Sequence, residues 1–494
     1  MRKTFKIAFT AALLALAPCL SPPAEPVAFS ARAIVDSSSG DAYRADIKFG
    51  KSGGAVVVFE ENTNGTYRLY ANRYSAALGW SGPVIIDAGT GNAYRGKVAI
   101  DDKTGDAIAV FKQETGKGYG IYAGIYKAGK WERPVRIDSG SGNADGAAAA
   151  YGPTGNAAAV FEEHDGSAYG IYVNMYDPEK GWLGPVKIDE DSTKNAMFPA
   201  HTFDHRGNLH VAYYKLHENG FDLYTISRNA EDGKWGRPVK ISSSEDPGAW
   251  KDKKSRAYYG RVDAPFLSDE LKKYSYSGAY DYAEWAPSTA DSRYRDAFTP
   301  SIIATTSHGV AVFFARFKNG KLRGFASYNN PDKGWTAPAL IDASDDDIEH
   351  IRASAGPYGE IALVFSQRTG EGLRIYARIY SPFRGWGNAE GMDAAVLDGY
   401  SPSVVFADDG RIMAVWCQRH EMKVNPFASI HAGNGWGKAQ RLEQGYGKTC
   451  GVRVASGPDR KVIIIYEQES VLPDGRVVNR LYAVQYGEWP AHGL

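Results

Sequence analysis

The sequence predicts an all-β protein, an eight-bladed β-propeller of four-stranded antiparallel blades, with seven blades as the alternative. The main observation is a sequence motif with one tryptophan, here called the tryptophan phrase, that recurs about every fifty residues. It reads Gly-Trp-Ser-Gly-Pro-Val-Ile-Ile-Asp at 79–87 and recurs at 130–138, 181–189 and 234–241. Weaker copies lie at Trp335, Trp386, Trp436 and Trp489. A fixed period of this length is typical of repeat architectures.

Each repeat contains four β-rich runs separated by Gly, Asp, Asn and Pro. In the second repeat these runs are 96–101, 107–111, 119–126 and 131–138. Such runs indicate hairpin-connected antiparallel strands. A lone four-stranded sheet could not bury both of its apolar faces, so neighbouring sheets should stack. This favours propeller blades over a string of independent domains or a β-solenoid, whose coils are shorter.

The two ends of the chain are expected to share the last blade. The inner strands should begin near Ala45, Gly96, Ala147, Phe198, Pro300, Ile351, Ser401 and Gly451. The chain ends too soon after Trp489 to complete its final outer strand. The segment 33–36 has the same kinds of residues as 84–87 in the first outer strand, so it should supply the missing strand and close the ring. Closure removes sheet edges that would invite aggregation.

The N-terminal residues predict export. A basic start and a short apolar run at 7–17 indicate a signal peptide within 1–24, followed by one propeller domain at 30–494. The expected location is periplasmic, cell-surface or secreted, with acylation at Cys19 as a less favoured option. Lys plus Arg and Asp plus Glu both total 57, so the net charge does not favour binding to nucleic acid. We expect a monomeric propeller without a transmembrane segment.

The remaining cysteines and the histidines do not indicate a cofactor or a metal. Cys417 and Cys450 lie on neighbouring repeats, and a disulfide between them is conceivable in an oxidising compartment. Four histidines fall in one repeat but without metal-ligand spacing. No phosphate loop, nucleophile elbow or Cys-x-x-Cys pair occurs. The prediction is therefore no metal and no cofactor.

The candidate ligand site is the channel mouth. The loops before the inner strand and after the second strand of each blade gather on one propeller face, around the channel. Carboxylates and arginines at these positions suit a polar or anionic ligand. The binding candidates are Arg44, Arg95, Glu60, Glu162, Glu349, Arg352 and Tyr400. The alternative is that they are solvated rim residues.

An insertion at 243–296 interrupts the repeat between the fourth and fifth copies. It is rich in aromatic residues, and Tyr276, Tyr280 and Trp285 are further binding candidates. An insertion in one blade often lies on the binding face. These aromatics would either cover the channel and stack on sugar rings or pack the insertion onto the propeller body.

The turn before several tryptophans resembles a degenerate Asp-box, as at 177–182, 232–235 and 332–335. The Asp-box marks the turn before the outer strand in sialidase-like propellers. The chain thus resembles a sialidase-like propeller of the exported bacterial type. The resemblance covers nearly the whole mature chain and implies the fold and a carbohydrate ligand. The Ser or Thr that opens the box is missing, and no Arg-Ile-Pro stretch occurs. No catalytic role is therefore carried over to any residue.

Three functions remain open on the sequence alone. The favoured one is an exported binding or scaffold protein that holds a glycan or a protein partner at the channel mouth and the insertion. The first alternative is a sialidase-like glycoside hydrolase, which needs a nucleophile, an acid and an arginine cluster around one sugar. The second alternative is a purely structural surface module without a concave polar pocket.

Overall fold

The computed structural model describes residues 29–37, 40–140, 143–190, 193–217, 220–242, 300–305, 309–319, 321–330, 333–370, 372–392, 399–420, 423–443 and 449–487. These residues form eight antiparallel sheets, which are blades 1 to 8 of a β-propeller. We call the four strand positions of a blade inner, second, third and outer. The prediction of an eight-bladed propeller is confirmed.

The inner strands are β2 (Asp41–Phe49), β7 (Ala93–Ile100), β12 (Ala144–Tyr151), β16 (Ala196–Phe203), β20 (Ser301–Thr305), β25 (Ile348–Ala355), β30 (Gly399–Phe406) and β34 (Thr449–Ser456). The second strands are β3 (Gly54–Thr63), β8 (Ala107–Thr115), β13 (Ala157–His164), β17 (Leu209–His217), β21 (Gly309–Lys318), β26 (Ile361–Thr369), β31 (Ile412–His420) and β35 (Val462–Val471). Each inner strand contacts the inner strands of both neighbouring blades, which makes the ring continuous.

The third strands are β4 (Thr66–Ser75), β9 (Gly118–Lys127), β14 (Tyr169–Asp177), β18 (Gly220–Arg228), β22 (Lys321–Asn330), β27 (Gly372–Ser381), β32 (Lys423–His431) and β36 (Val477–Tyr486). The outer strands of blades 1 to 7 are β5 with β6 (Gly79–Trp80, Val84–Ile85), β10 with β11 (Lys130–Trp131, Val135–Arg136), β15 (Gly181–Lys187), β19 (Val239–Ser242), β23 with β24 (Gly334–Trp335, Ala339–Leu340), β28 with β29 (Gly385–Trp386, Glu390–Gly391) and β33 (Gln440–Arg441).

The N-terminal strand completes blade 8, as the sequence predicts. Strand β1 (Ala33–Ile34) pairs antiparallel with β36, with Ala33 opposite Ala483 and Ile34 opposite Tyr482. The sheet order of this blade is β1-β36-β35-β34. The two ends of the described chain are therefore joined in one sheet, and the ring has no open end.

The core lies between the blades. The second strands are apolar runs that are almost fully buried, because each sheet packs on a neighbour at both faces. Every blade carries one stacked aromatic pair between its second and third strands. The pairs are Phe59–Tyr70, Phe111–Tyr122, Phe161–Tyr172, Tyr213–Tyr224, Phe314–Phe325, Phe365–Tyr376, Trp416–Phe427 and Tyr466–Tyr482. The recurring tyrosines of the third strands are therefore packing residues.

The aspartate that ends the tryptophan phrase fastens the outer strand to the third strand. In blade 1, Asp87 accepts the Leu69 backbone N–H at 2.9 Å and both Nε and Nη2 of Arg68 at 2.8 and 2.7 Å. The equivalent aspartates Asp36, Asp138, Asp189 and Asp342 likewise accept a third-strand N–H. This repeated function explains why the phrase keeps its final aspartate.

Candidate functional site

Two sets of turns meet on one face of the propeller, which we call the top face. Because the strands run antiparallel, the turns from outer to inner strands and from second to third strands lie at the same end of every blade. In the sequence, the insertion at 243–296 directly follows β19. Its residues, including Tyr276, Tyr280 and Trp285, lie outside the described residues, and so does the predicted signal peptide within 1–24.

Seven inner strands begin two to four residues earlier than the sequence suggests, because each of them contains a bulge near its top end; β20 begins at Ser301, next to the expected Pro300. The register shifts between Tyr43 and Asp46 in β2 and at the matching place in the other inner strands with described starts. One residue of each bulge has a positive φ: Arg44, Arg95, Gly146, Phe198, His350, Ser401 and Gly451. Such a bulge re-aims a side chain at the strand end. Arg44 and Arg95 thus occupy bulges within strands and do not precede them.

Buried carboxylates tie the bulges of neighbouring blades together. Glu60 of blade 1 accepts the Arg95 backbone N–H of blade 2, and Glu162 of blade 3 accepts the Phe198 N–H of blade 4 at 3.0 Å. Both carboxylates have no exposed surface. Burial raises the pKa of Glu60, although Arg44 and the Arg95 N–H oppose this effect. These two binding candidates are therefore primarily wall residues that position the bulges.

Cations and carboxylates alternate along the mouth over blades 1 to 3. Arg44 Nη1 lies 2.6 Å from Glu60 Oε2, and Arg95 Nη1 lies 2.9 Å from both carboxylate oxygens of Asp145. Lys112 Nζ also lies 2.9 Å from Asp145 Oδ2. The Arg44 side chain is 14% exposed, and its Nε and Nη2 are buried without a hydrogen-bond partner. Leaving buried donors unpaired costs free energy, so these two nitrogens weaken the packing around Arg44.

Three tyrosines line the same sector of the top face, and we call them the tyrosine row. The ring centroids of Tyr67 and Tyr94 are 5.2 Å apart, and those of Tyr94 and Tyr119 are 6.2 Å apart. All three side chains are half-buried. Lys112 Nζ lies 4.2 Å from the centroid of the Tyr119 ring, a cation–π geometry. Aromatic faces and cations are thus adjacent on blades 1 and 2.

The other binding candidates lie in blades 6 and 7. Glu349 contacts Arg368 Nη2 at 3.3 Å and His350 Nε2 at 4.0 Å. Tyr400 pairs with Cys417 across β30 and β31. Arg352 is on β25 below the bulge. The structure thus brings Arg44, Arg95 and Glu60 together in one sector and places Glu349, Arg352 and Tyr400 in another.

The disulfide and metal predictions are only partly covered by the structure. Cys417 is buried on β31, whereas the side chain of Cys450 is outside the described residues, so a bond between them stays a prediction. Within the described ranges, no group of three or more His, Cys, Asp or Glu side chains is arranged to hold a metal ion. No helix in that part of the chain could span a bilayer.

The sequence places Asp145 before an inner strand and Lys112 after a second strand, both at the expected mouth, but neither was among the chosen binding candidates, and the tyrosine row was missed. Tyr94 directly precedes the candidate Arg95, which was a usable signal. Tyr67 and Tyr119 begin third strands at the top face, and that position becomes informative only once the blade order is known.

No protein-family model and no curated protein sequence matches the chain. Solved structures similar to it include a protein of unknown function from Dyadobacter fermentans, with 11% identity, TM-score 0.41, and coverage of 93% of this chain and 99% of that one. An ulvan lyase from a new polysaccharide lyase family has 10% identity, TM-score 0.45, and coverage of 91% and 92%. The NanB sialidase from Streptococcus pneumoniae has 9% identity, TM-score 0.37, and coverage of 92% and 69%. All three TM-scores lie below 0.5, so these structures do not bear on the function of this chain.

Proposed function

We propose that this protein is an exported carbohydrate-binding propeller that holds an acidic glycan on the top face of blades 1 to 3. The observation that carries the proposal is the tyrosine row beside three cations, Arg44, Arg95 and Lys112. Ligand sites commonly combine aromatic faces with a few charged groups that fix orientation. The Asp-box resemblance stays a prediction and agrees with a carbohydrate ligand.

The tyrosine row supports a ligand with apolar ring faces and hydroxyl groups. The half-buried rings of Tyr67, Tyr94 and Tyr119 combine an apolar surface with a polar tip. A sugar ring has the matching properties, because its C–H groups form an apolar face and its hydroxyls lie at the edge. Successive rings 5.2 and 6.2 Å apart form a surface that a chain of sugars could follow.

Arg44 supports an acidic ligand. One nitrogen of its guanidinium binds Glu60, and the other two are buried donors without a partner. The guanidinium charge would attract a carboxylate or sulfate group at the mouth, and charge-assisted bonds are stronger than neutral ones. Arg95 and Lys112 both contact the carboxylate of Asp145, so two further cations lie in the same sector as the row.

The protonated state of the tyrosines at this site favours ligand binding over bond cleavage. Burial raises the pKa of Tyr94 to about 12, and burial also raises the pKa of Tyr119 and of Tyr43. These phenols therefore keep their protons near neutral pH and are poor bases or nucleophiles. Glu60 is fully buried and already accepts bonds from Arg44 and Arg95.

The test compares oligogalacturonate with its methyl ester, a matched pair that differs in charge. We expect calorimetry to show saturable binding of the acid form and at least about tenfold weaker binding of the ester. Tyr119→Ala should weaken binding of both forms, and Arg44→Lys should weaken mainly the acid form, because lysine lacks the second donor pair. Tyr358→Ala is the control, because Tyr358 is 77% exposed in a turn at the opposite face. Equal affinity for acid and ester would contradict the acidic specificity.

A glycoside hydrolase remains the second candidate because Glu60 and Asp145 lie beside Arg44 and Arg95. Assaying the same incubations for new reducing ends separates the two functions. Turnover by the wild type that is lost in Asp145→Asn would favour the hydrolase. Binding without turnover would favour the binding protein, and the absence of both would favour a structural module.

A further inference from the structure

A serine, a histidine and an aspartate of blade 4 are joined by hydrogen bonds at the bottom face, the face opposite the top face. Ser227 Oγ lies 2.8 Å from His210 Nδ1, and His210 Nε2 lies 3.1 Å from Asp204 Oδ2. Ser227 is on the third strand β18, His210 is on the second strand β17, and Asp204 begins the turn between β16 and β17. The three side chains are therefore connected in the order of a serine–histidine–aspartate triad.

The histidine occupies a position that belongs to the core in every other blade. This position lies three residues before the second-strand member of the stacked aromatic pair. The equivalent residues of the other seven blades are all apolar and buried: Val56, Ile108, Ala158, Ala311, Ala362, Met413 and Ile463. His210 is 8% exposed at the same place. The packing of the repeat thus does not require a histidine here.

The turn before β17 determines which nitrogen of the imidazole carries the proton. Asp204 Oδ1 accepts the N–H groups of Arg206 and Asn208 at 2.9 Å, and Oδ2 accepts Asn208 Nδ2 at 2.9 Å. Burial opposes ionisation, but hydrogen bonds from His210 and Asn208 hold the pKa of Asp204 below its ordinary value. Because a carboxylate only accepts, His210 Nε2 donates to Asp204. In the neutral ring Nδ1 is then an acceptor for the Ser227 hydroxyl.

The strand pairing brings Ser227 and His210 together. The two residues lie directly opposite each other in β18 and β17. Gly236 N–H donates to the Ser227 carbonyl at 2.8 Å, so the backbone groups of Ser227 point towards the outer strand. The pair is therefore a non-hydrogen-bonded one, in which side chains approach more closely. Ser227 is half-buried, whereas His210 and Asp204 are buried, so the serine is the member most accessible to a ligand.

We propose that Ser227, His210 and Asp204 form a second site, which hydrolyses small carboxylic esters through an acyl-serine. Ser227 is the nucleophile, His210 is the general base, and Asp204 is a positioning residue that holds the imidazole. A small acyl group suits a half-buried hydroxyl within a sheet. The site lies on the face opposite the tyrosine row and goes beyond the acidic-glycan function.

The reaction takes place in two steps and consumes one water molecule. Ser227 Oγ attacks the ester carbonyl carbon while its proton passes to His210 Nδ1. The bond from that carbon to the alcohol oxygen then breaks, and the alcohol leaves with the proton from Nδ1. In the second step water attacks the acyl carbon and gives a proton to Nδ1. The carboxylic acid leaves, and Ser227 Oγ takes the proton back.

The probe is p-nitrophenyl acetate, incubated with the full chain. We expect saturable release of nitrophenol, with kcat/KM at least about tenfold lower in Ser227→Ala and in His210→Met. Methionine is the residue that blade 7 has at the position of His210, so this variant keeps the core apolar. The control is Ser470→Ala, because Ser470 is a half-buried serine whose Oγ lies 2.8 Å from Tyr482 OH and not from an imidazole. The control should hydrolyse the ester like the wild type.

Two further readouts separate catalysis from a structural role. Mass spectrometry after an acid quench should find the acetyl group on Ser227 in the wild type and not in His210→Met. Asp204→Asn should lower kcat and leave KM unchanged, because Asp204 acts through the imidazole and does not touch the ester.

The proposal would be overturned by hydrolysis no faster than in buffer, by equal losses in Ser470→Ala, or by acetylation confined to other residues. If His210→Met loses its folded circular dichroism spectrum, Ser227→Ala and Asp204→Asn decide, and unchanged kcat in both would overturn it. Tyr119→Ala should leave ester hydrolysis unchanged, so failure at the glycan surface and failure at this site are distinguishable.

Discussion

Asp36 and Arg480 join the two ends of the propeller through a buried ion pair. Arg480 Nη2 lies 2.8 Å from Asp36 Oδ1, and Arg480 Nε lies 2.9 and 3.0 Å from the two carboxylate oxygens. Leu481 N–H donates to the same carboxylate at 2.6 Å. The Asp36 side chain has no exposed surface and the Arg480 side chain has 6%. The pair therefore fastens β1, which contributes two residues to blade 8, to the third strand of that blade.

Asp36→Ala should destabilise the folded protein by about 3 to 5 kcal/mol, because removing one partner of a buried ion pair is strongly destabilising. Urea unfolding followed by tryptophan fluorescence measures the change. Asp474→Ala is the control, because Asp474 and Arg476 form an exposed pair within one turn. A loss of stability no larger than that of the control would contradict a fastening role for Asp36.

In blades 1 and 2 an arginine binds the aspartate that ends the tryptophan phrase, but this arginine lies on a different strand in each blade. Arg68 of the third strand binds Asp87 in blade 1, with Ile85 exposed on the outer strand. In blade 2, Arg136 of the outer strand binds Asp138, and Gly120 takes the third-strand position. A Cβ at Gly120 would lie 2.8 Å from Arg136 Nε. Because Gly120 has no Cβ, it leaves space for the Arg136 side chain.

Gly120→Arg alone should destabilise the protein by about 1 to 3 kcal/mol, because the new side chain clashes with Arg136. Gly120→Arg with Arg136→Ile should recreate the blade 1 arrangement. The two changes should therefore couple favourably, by about 1 to 3 kcal/mol in a double-mutant cycle. Strictly additive effects would show that the two arrangements are not equivalent.

Glu467 should make stability fall as pH rises through neutrality. Its ordinary pKa is 4.5, and burial raises the pKa to about 7 in the folded protein. Between these values the folded state retains a proton that the unfolded state has lost, so the free energy of unfolding decreases as pH rises from about 4.5 to about 7. Glu467→Gln should remove this decrease while its amide oxygen still accepts the Ala45 N–H. Urea unfolding at pH 5 and pH 8 tests this, and an unchanged difference between the two pH values would contradict it.

His201 should have the opposite effect on the free energy of unfolding, which should decrease as the pH falls below about 6.5. Burial lowers its pKa from 6.5 to about 4, and Lys48 adds to this effect. The unfolded state therefore binds a proton first, and stability should be lost as pH falls from about 6.5 to about 4. His201→Gln should reduce this loss. A wild-type acid-unfolding profile that is unchanged in the variant would rule out His201 as a contributor.

The strands and the closure of the ring could be read from local patterns. The tryptophan phrase marked the outer strands, the apolar runs marked the buried second strands, and the match between 33–36 and 84–87 identified the strand that β36 needs. The bulges could not be read this way, because non-glycine residues such as Arg44 and Arg95 adopt the positive φ there. Their conformation is held by contacts with the next blade, as with Glu60 and the Arg95 N–H.

By itself the sequence determined the number of blades, the order of their strands and the meeting of the chain ends, because a repeated apolar pattern dictates which faces must be buried. Only the tertiary structure decided the members of the candidate site. Tyr67, Tyr94 and Tyr119 come from three strands of two blades, and Lys112 and Asp145 come from two blades. Their proximity depends on how adjacent blades pack around the axis, and that packing brings together side chains that are far apart in sequence.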